Sequence, residues 1–415
     1  METKNSSQVK KDAVAGIFGN ILEWYDFAVF GFLAPILSLL FFPQESKIVG
    51  IIMAYGIFAT GYMMRPLGGV VFGYIGDKKG RKIALNISIF LMAIPTLLMG
   101  FLPTFEDIGI TATVLLLILR MLQGLAVGGE LIGSVSYLVE IAPKDRKGLY
   151  GSFTLFSAIG GLLLGSSIVT LLSAFLDSEA MLSWGWRLPF IMGIIIFAVG
   201  LHLRKDMSES PEFSCTIAQK SSPIREIIQT MPMRVVELFL IITIATSSSY
   251  MLLVWMPTYL GEILPHPISY ALALNTLSLV IVLFTIPFAG KLADKYGKKE
   301  LMMFSSLAIG LLSYPLFLLT NSENIIMLIV AQSIFAILSG FIQGPLPALM
   351  VEMFPPKLRY TGTGLGYNIA TALIGGTTPM VATMLIHQTG SLTSPAIYLI
   401  AFSIISFVTL YRLKI

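Results

Sequence analysis

Long apolar runs decide what this chain can fold into. They lie near 14–41, 48–76, 83–103, 110–141, 149–175, 186–204, 234–260, 268–290, 300–320, 324–352, 362–387 and 393–411. Most exceed the roughly 20 residues that cross about 30 Å of hydrocarbon, which leaves room for tilt or protrusion. Hydrocarbon offers no water to the peptide groups, so a continuous apolar run must satisfy its own backbone as a helix. Barrel strands would be shorter and would alternate. The expected fold class is an all-α polytopic membrane protein with twelve transmembrane helices, here numbered spans 1–12 in chain order. Composition agrees: 12% of the 415 residues are charged, against about 25% in soluble domains.

The net charge of +4 points to no nucleic acid, because the basic residues are spread over short loops. The single cysteine, Cys215, excludes an internal disulfide framework. Lys4, Lys10 and Lys11 imitate the start of a secretory signal. The apolar run behind them is too long and has no small-residue cleavage site, so no cleavable leader is expected. With the N-terminus inside, Lys47 is the one basic residue in an outer loop. Arg65, Arg120 and Arg187 fall within spans, and every other Lys and Arg is cytoplasmic. This bias places both termini in the cytoplasm.

The longest hydrophilic stretch, about 205–233, splits the spans six and six. Its Ser, Pro and charge content reads as a cytoplasmic linker, with a short amphipathic helix around Pro223–Thr230. The expected domains are therefore residues 1–204, the linker 205–233 and residues 234–415. The halves repeat each other. "GYIGDKKGRK" from Gly73 matches "GKLADKYGKK" from Gly290, and "VEIAPKDRKG" from Val139 matches "VEMFPPKLRY" from Val351. Two motifs recurring in order, each in the matching inner loop, imply two pseudo-symmetric six-helix bundles.

Charges inside the spans need a partner or an aqueous cavity, since each costs at least roughly 2.5–3.5 kcal/mol at the helix centre. The first half holds Glu23, Asp26, Arg65, Arg120 and Glu130; the second half has no comparable deep charge. At about 1.5 Å per residue, Glu23 is near the midplane and Arg65 about 16 Å from the inner end of span 2. Arg120, Gln123, Val127, Glu130 and Ser134 form one stripe of span 4. Glu23 and Asp26 stand three apart on one helix, so two readings arise. They share a water-accessible site in which repulsion and burial let at least one carry a proton, or one forms a static ion pair with Arg65. Glu130 remains as an excess carboxylate in either case. Arg120 is the favoured ligand for a substrate carboxylate, because Arg65 is better placed to pair with span 1.

The second half offers softer groups. Span 7 reads "TSSSYMLLVWMPTYL" from Thr246. Hydroxyls beside Pro257 fit a span that unwinds locally. Tyr250 and Trp255 can form an aromatic box for a quaternary ammonium, although belt and packing roles compete for Trp255. Asn368 and Gln343 are further candidates for a cavity wall. Glycine pairs such as Gly128–Gly129 and Gly375–Gly376 read as close helix packing.

The repeated loop G-x-x-x-D-[RK]-x-G-[RK]-[RK] and the R-x-x-Q-G of Arg120–Gly124 resemble signatures of the major facilitator superfamily. More narrowly, "GNILEWYDF", "RPLGGVVFGYIGDKKGRK", "RMLQGLAVGGE", "WGWRLPF" and "GGTTPMVAT" resemble the metabolite:proton symporters. "VFGF" and "LRKDMSESPEF" are most similar to its proline/betaine members. The resemblance implies the major facilitator fold and secondary active import of a small polar metabolite with protons, by alternating access at a midplane site, in a bacterial inner membrane. It implies no cofactor beyond the coupling ion, no enzyme activity, and a monomer whose partners are a small-molecule substrate and the bilayer. The substrate is a zwitterion such as proline or betaine, or a small carboxylate; 2-oxoglutarate, citrate and shikimate carriers belong to the same family. The residues themselves point to Glu23, Asp26 and Glu130 for proton coupling, and to Arg65, Arg120, Gln123, Tyr250, Trp255 and Asn368 for substrate. In that family the loop Asp and basic residues form an interdomain lock, so gating falls to Asp77, Arg81 and Asp294, together with the Glu140 and Glu352 motifs; the alternative is that these charges only enforce topology. Osmosensing members carry a long C-terminal coiled coil; the sequence stops at Ile415 just after span 12, so gating by that device is not expected. A drug/proton antiporter of this fold would have a Gly-Pro motif in span 5, which "GSFTLFSAIGGLLLGSS" lacks. An uncoupled facilitator would not need five deep charges, a membrane enzyme would need more than three scattered histidines, and a non-transporting sensor would show no flux.

Overall fold

The computed structural model describes residues 6–42, 46–79, 81–128, 130–204, 223–264 and 266–414. The side chains of Asp77, Arg81 and Glu130, and linker residues 205–222, lie outside the described residues, and so do the expectations that rest on them.

Among the described residues the secondary structure is helical throughout. Ten helices are long and apolar enough to cross a membrane. An eleventh, Ser178–Gly185 with Arg187–Val199, is bent by 50°, and Ile87–Gly100 is a shorter apolar helix. In chain order they fall on the twelve expected spans. Spans 1–6 pack mainly on one another, as do spans 7–12. The two bundles meet chiefly along span 5 against span 8 and span 2 against span 11. Large apolar side chains such as Phe175, Phe284 and Leu311 point outward, as a lipid-facing surface requires.

Span 7 corrects one expectation. It does not unwind at Pro257 but runs as a helix over Pro232–Ile263, with π-helical turns at Met251–Trp255 and Tyr259–Ile263. A proline has no N–H to give the carbonyl four residues back, here that of Leu253. Span 8 answers that loss, because Asn275 Nδ2 donates to the Leu253 carbonyl at 3.2 Å. A widened turn with a side-chain donor thus replaces the expected gap.

The expected amphipathic helix is present at Pro223–Thr230. Ile227 is buried, and Glu226 pairs with Lys357 at 2.9 Å, which fastens this helix to the loop before span 11.

Candidate functional site

A cavity of about 40 Å³ lies between the bundles. That volume holds roughly three waters, so the walls are drawn closely together. Span 5 lines it with apolar side chains such as Leu155 and Ala158, and span 1 with Trp24. Span 7 contributes Thr246, Ser249 and Tyr250, span 10 contributes Gln343, and span 11 contributes Tyr367. The Trp24 and Tyr250 rings lie 6.3 Å apart. Trp24 Nε1 is buried without a hydrogen-bond partner.

Directly behind this wall sits a buried ion pair, Arg65 Nη2 to Glu23 Oε1 at 3.2 Å. The Arg65 guanidinium is 5.7 Å from the Trp24 ring and 5.5 Å from that of Tyr62. Its Nε has no hydrogen-bond partner.

Asp26 faces elsewhere, so the expectation of one site shared with Glu23 is not met. Three residues of helix turn the side chain by about 60° from that of Glu23, into the packing of span 1 against spans 3 and 6. There Asp26 Oδ2 accepts from Thr96 Oγ1 at 2.7 Å. Gln123 Nε2 donates to the same hydroxyl at 2.7 Å, and Arg120 Nη1 donates to Gln123 Oε1 at 2.9 Å. Four buried side chains from spans 1, 3 and 4 thus form one chain from carboxylate to guanidinium. Among the described residues no cation stands within ion-pair distance of Asp26. Arg120 is packed by rings, with Phe27 at 4.0 Å, Phe30 at 4.7 Å and Phe58 at 5.1 Å. Arg65, and not the favoured Arg120, is thus the cation set against a cavity-lining ring, while Arg120 Nε and Nη2 are buried without a hydrogen-bond partner.

Trp255 and Asn368 move out of the site as well. Trp255 lies inside the second bundle, stacked on Tyr259 at 4.8 Å and donating to Thr383 Oγ1 at 2.9 Å. It does not face Tyr250 across the cavity. The partners of Tyr250 are Trp24 and Tyr62, the latter at 5.2 Å. Asn368 Nδ2 donates to the Gly128 carbonyl at 2.7 Å, strapping span 11 to span 4. Gln343 does line the cavity, and its amide donates to Ser339 Oγ at 3.0 Å. Trp24, Tyr367 and Thr96 were missed from the sequence. Trp24 sits between two acids in "LEWYDF", and Thr96 is the one polar side chain in the outer half of span 3; either was a usable signal.

The bundles meet by polar contacts on both sides of the cavity. On the inner side the repeated motifs exchange partners. Glu140 pairs with Arg359 at 2.8 Å, and Glu352 with Lys147 at 3.6 Å, so each acid takes the basic residue of the other motif. Glu352 also meets Lys298 at 3.2 Å. Asp294 accepts from the Gly148 and Leu149 amides that open span 5. On the outer side the Tyr55 and Thr258 hydroxyls are 2.6 Å apart, and Lys47 pairs with Glu262.

The sequence profile of the Major Facilitator Superfamily matches residues 16–379. A putative proline/betaine transporter of Staphylococcus aureus (strain MSSA476) is 33% identical over 98% of this chain and 88% of its own length. A glycine betaine/proline/ectoine/pipecolic acid transporter, OusA of Dickeya dadantii, is 34% identical over 98% of this chain and 83% of its own. Among solved structures, the proton:xylose symporter XylE bound to 6-bromo-6-deoxy-D-glucose superposes with a TM-score of 0.80 at 19% identity. That superposition covers 98% of this chain and 95% of the other.

Proposed function

Because the chain belongs to the major facilitator superfamily, and within it to the family of the proline/betaine transporters, we propose that it imports a small zwitterion together with a proton. The membrane is a bacterial inner membrane, both termini are cytoplasmic, and the two gates open alternately around the cavity. One observation carries the substrate reading. The buried charged side chains among the described residues are Glu23, Asp26, Arg65 and Arg120, all in the first bundle. The second bundle brings rings and amides. A zwitterion fits this asymmetry: its ammonium lies against Trp24 and Tyr250 by cation–π attraction, and its carboxylate competes with Glu23 for the Arg65 fork. A di- or tricarboxylate would bring further negative charge to a wall where, among the described residues, Arg65 is the one cation and already faces Glu23, which disfavours it.

Asp26 is the better proton carrier of the two described carboxylates. Glu23 has a counter-charge in Arg65. Asp26 is buried against a hydroxyl, which compensates an ionised carboxylate less completely, and a bound proton removes that cost. The test is uptake of labelled proline and betaine into proteoliposomes under an imposed pH gradient. Wild-type protein accumulates both, whereas Asp26→Asn exchanges but does not accumulate. Accumulation by Asp26→Asn overturns the coupling assignment. Uptake of citrate but neither zwitterion overturns the substrate class.

A further inference from the structure

We propose that Thr96 is the positioning residue that allows Asp26 to change charge inside the bundle, by turning its one hydroxyl hydrogen between two acceptors. The inference rests on the reading of Asp26 as the proton carrier and adds a residue to it.

Three contacts meet at Thr96 Oγ1. Asp26 Oδ2 is 2.7 Å away, the Met92 carbonyl one helical turn back is 2.8 Å away, and Gln123 Nε2 is 2.7 Å away. The Gln123 contact has a fixed sense. A guanidinium only donates, so Arg120 Nη1 requires the amide oxygen on its side. The amide nitrogen then faces Thr96 and always donates to it. Thr96 therefore keeps one lone pair occupied and has one hydrogen and one lone pair to place.

With Asp26 ionised, the hydroxyl hydrogen goes to Oδ2. With Asp26 protonated on Oδ2, the acid donates to the second lone pair of Thr96, and the hydroxyl hydrogen turns to the Met92 carbonyl. In both states every one of these groups has a partner. The proton is the only atom gained or lost, and no heavy atom has to move. Without the hydroxyl, an ionised Asp26 would lose its donor and a protonated Asp26 its acceptor; the loss is larger for the charged state, because a hydrogen bond to a charged group is the stronger one.

The titratable and charged groups around Asp26 leave this role to Thr96. Tyr25, on the same helix, uses its hydroxyl on the Pro189 carbonyl of span 6 at 2.7 Å. Span 6 faces Asp26 with Gly193, span 3 with Thr96, and span 4 with Arg120 through Gln123. Arg65 of span 2 is engaged by Glu23.

The experiment uses the full chain in proteoliposomes, with labelled proline as the probe. Thr96→Val keeps the shape without the hydroxyl, and Thr96→Ser keeps the hydroxyl. Proline exchange is followed against pH, and pH-driven accumulation is measured beside it. Thr96→Val is expected to displace the alkaline limb of the exchange profile by about one pH unit and to reduce accumulation about tenfold. KM in the acid plateau should stay unchanged, and Thr96→Ser should restore both. If Thr96→Val does not fold, infrared difference spectra of Thr96→Ala and wild type provide a second readout. The carboxyl band abolished by Asp26→Asn must shift when the hydroxyl is removed. A wild-type pH profile in Thr96→Val, or an unshifted band, overturns the role of Thr96 while Asp26→Asn still reports on coupling separately.

Discussion

Asp294 caps span 5: its two carboxylate oxygens receive the Gly148 and Leu149 amides at 2.6 and 2.9 Å, across the boundary between the bundles. The amides of a helix N-terminus favour negative charge, and here the charge comes from the opposite domain. Asp294→Asn removes it and should shift the population toward inward-open. A cysteine at cavity-lining Ala158, in a Cys215→Ser background, should then label about 5–30-fold faster from the cytoplasmic side, as expected for about 1–2 kcal/mol of lost closure. An unchanged rate would leave Asp294 a topological role only.

The exchanged pairs of the repeated motifs permit a sharper check. Arg359→Glu sets like charges against Glu140 and should open the inner side. Adding Glu140→Arg should return the Ala158→Cys labelling rate toward that of the parent. No recovery in the double variant would count against a direct latch.

The outer gate combines a screened and an unscreened contact. The Lys47 side chain is 59% exposed, and salt from about 0.1 to 1 M shortens the screening length from about 10 to about 3 Å. External salt should therefore reproduce part of the effect of Glu262→Gln on labelling from outside. It should leave the effect of Tyr55→Phe untouched, since that hydroxyl contact with Thr258 is buried.

The aromatic wall separates two tryptophans by function. Trp24→Ala should raise the KM for betaine about 5–30-fold, from the ~1–2 kcal/mol of a desolvated cation–π contact. Trp255→Phe should leave KM alone and lower thermal stability, because the indole N–H bonded to Thr383 is lost inside the second bundle. A larger KM effect for Trp255 than for Trp24 would contradict this division.

Asn275 and Pro257 are coupled through one carbonyl. Asn275→Leu should destabilise the protein by about 1–3 kcal/mol, leaving the Leu253 oxygen buried and unpaired. Pro257→Ala restores an N–H to that oxygen and should recover part of the loss. Thermal unfolding in detergent for the two single variants and the double variant measures the coupling.

The number, order and pairing of the spans followed from apolar length and from the repeated motifs, because bilayer thickness and backbone satisfaction leave little choice. The Glu23–Arg65 pair was also within reach, since depth along each helix can be counted. Direction around the helix was harder. A 60° offset separates Glu23 from Asp26, and it decides which neighbouring span each one meets. Trp255 was misplaced for a related reason: five residues of α-helix already turn it by about 140° from Tyr250, so spacing alone argued against one face. Asn368 could not be separated from a cavity residue, because an amide suits a backbone strap equally well.

Spans 2 and 4 touch backbone to backbone. A methyl group on Gly124 would strike the Gly61 main chain, one on Gly68 the Leu125 carbonyl, and one on Gly128 the Arg65 carbonyl. Helices seated that closely have no slack to slide. Arg65 rides on one and Arg120 on the other, so their separation stays constant while the bundles rock. The first bundle then acts as a stator with two permanent positive poles. Proton, substrate and the second bundle are the moving parts, and each passing state is measured against the same electrostatic ruler.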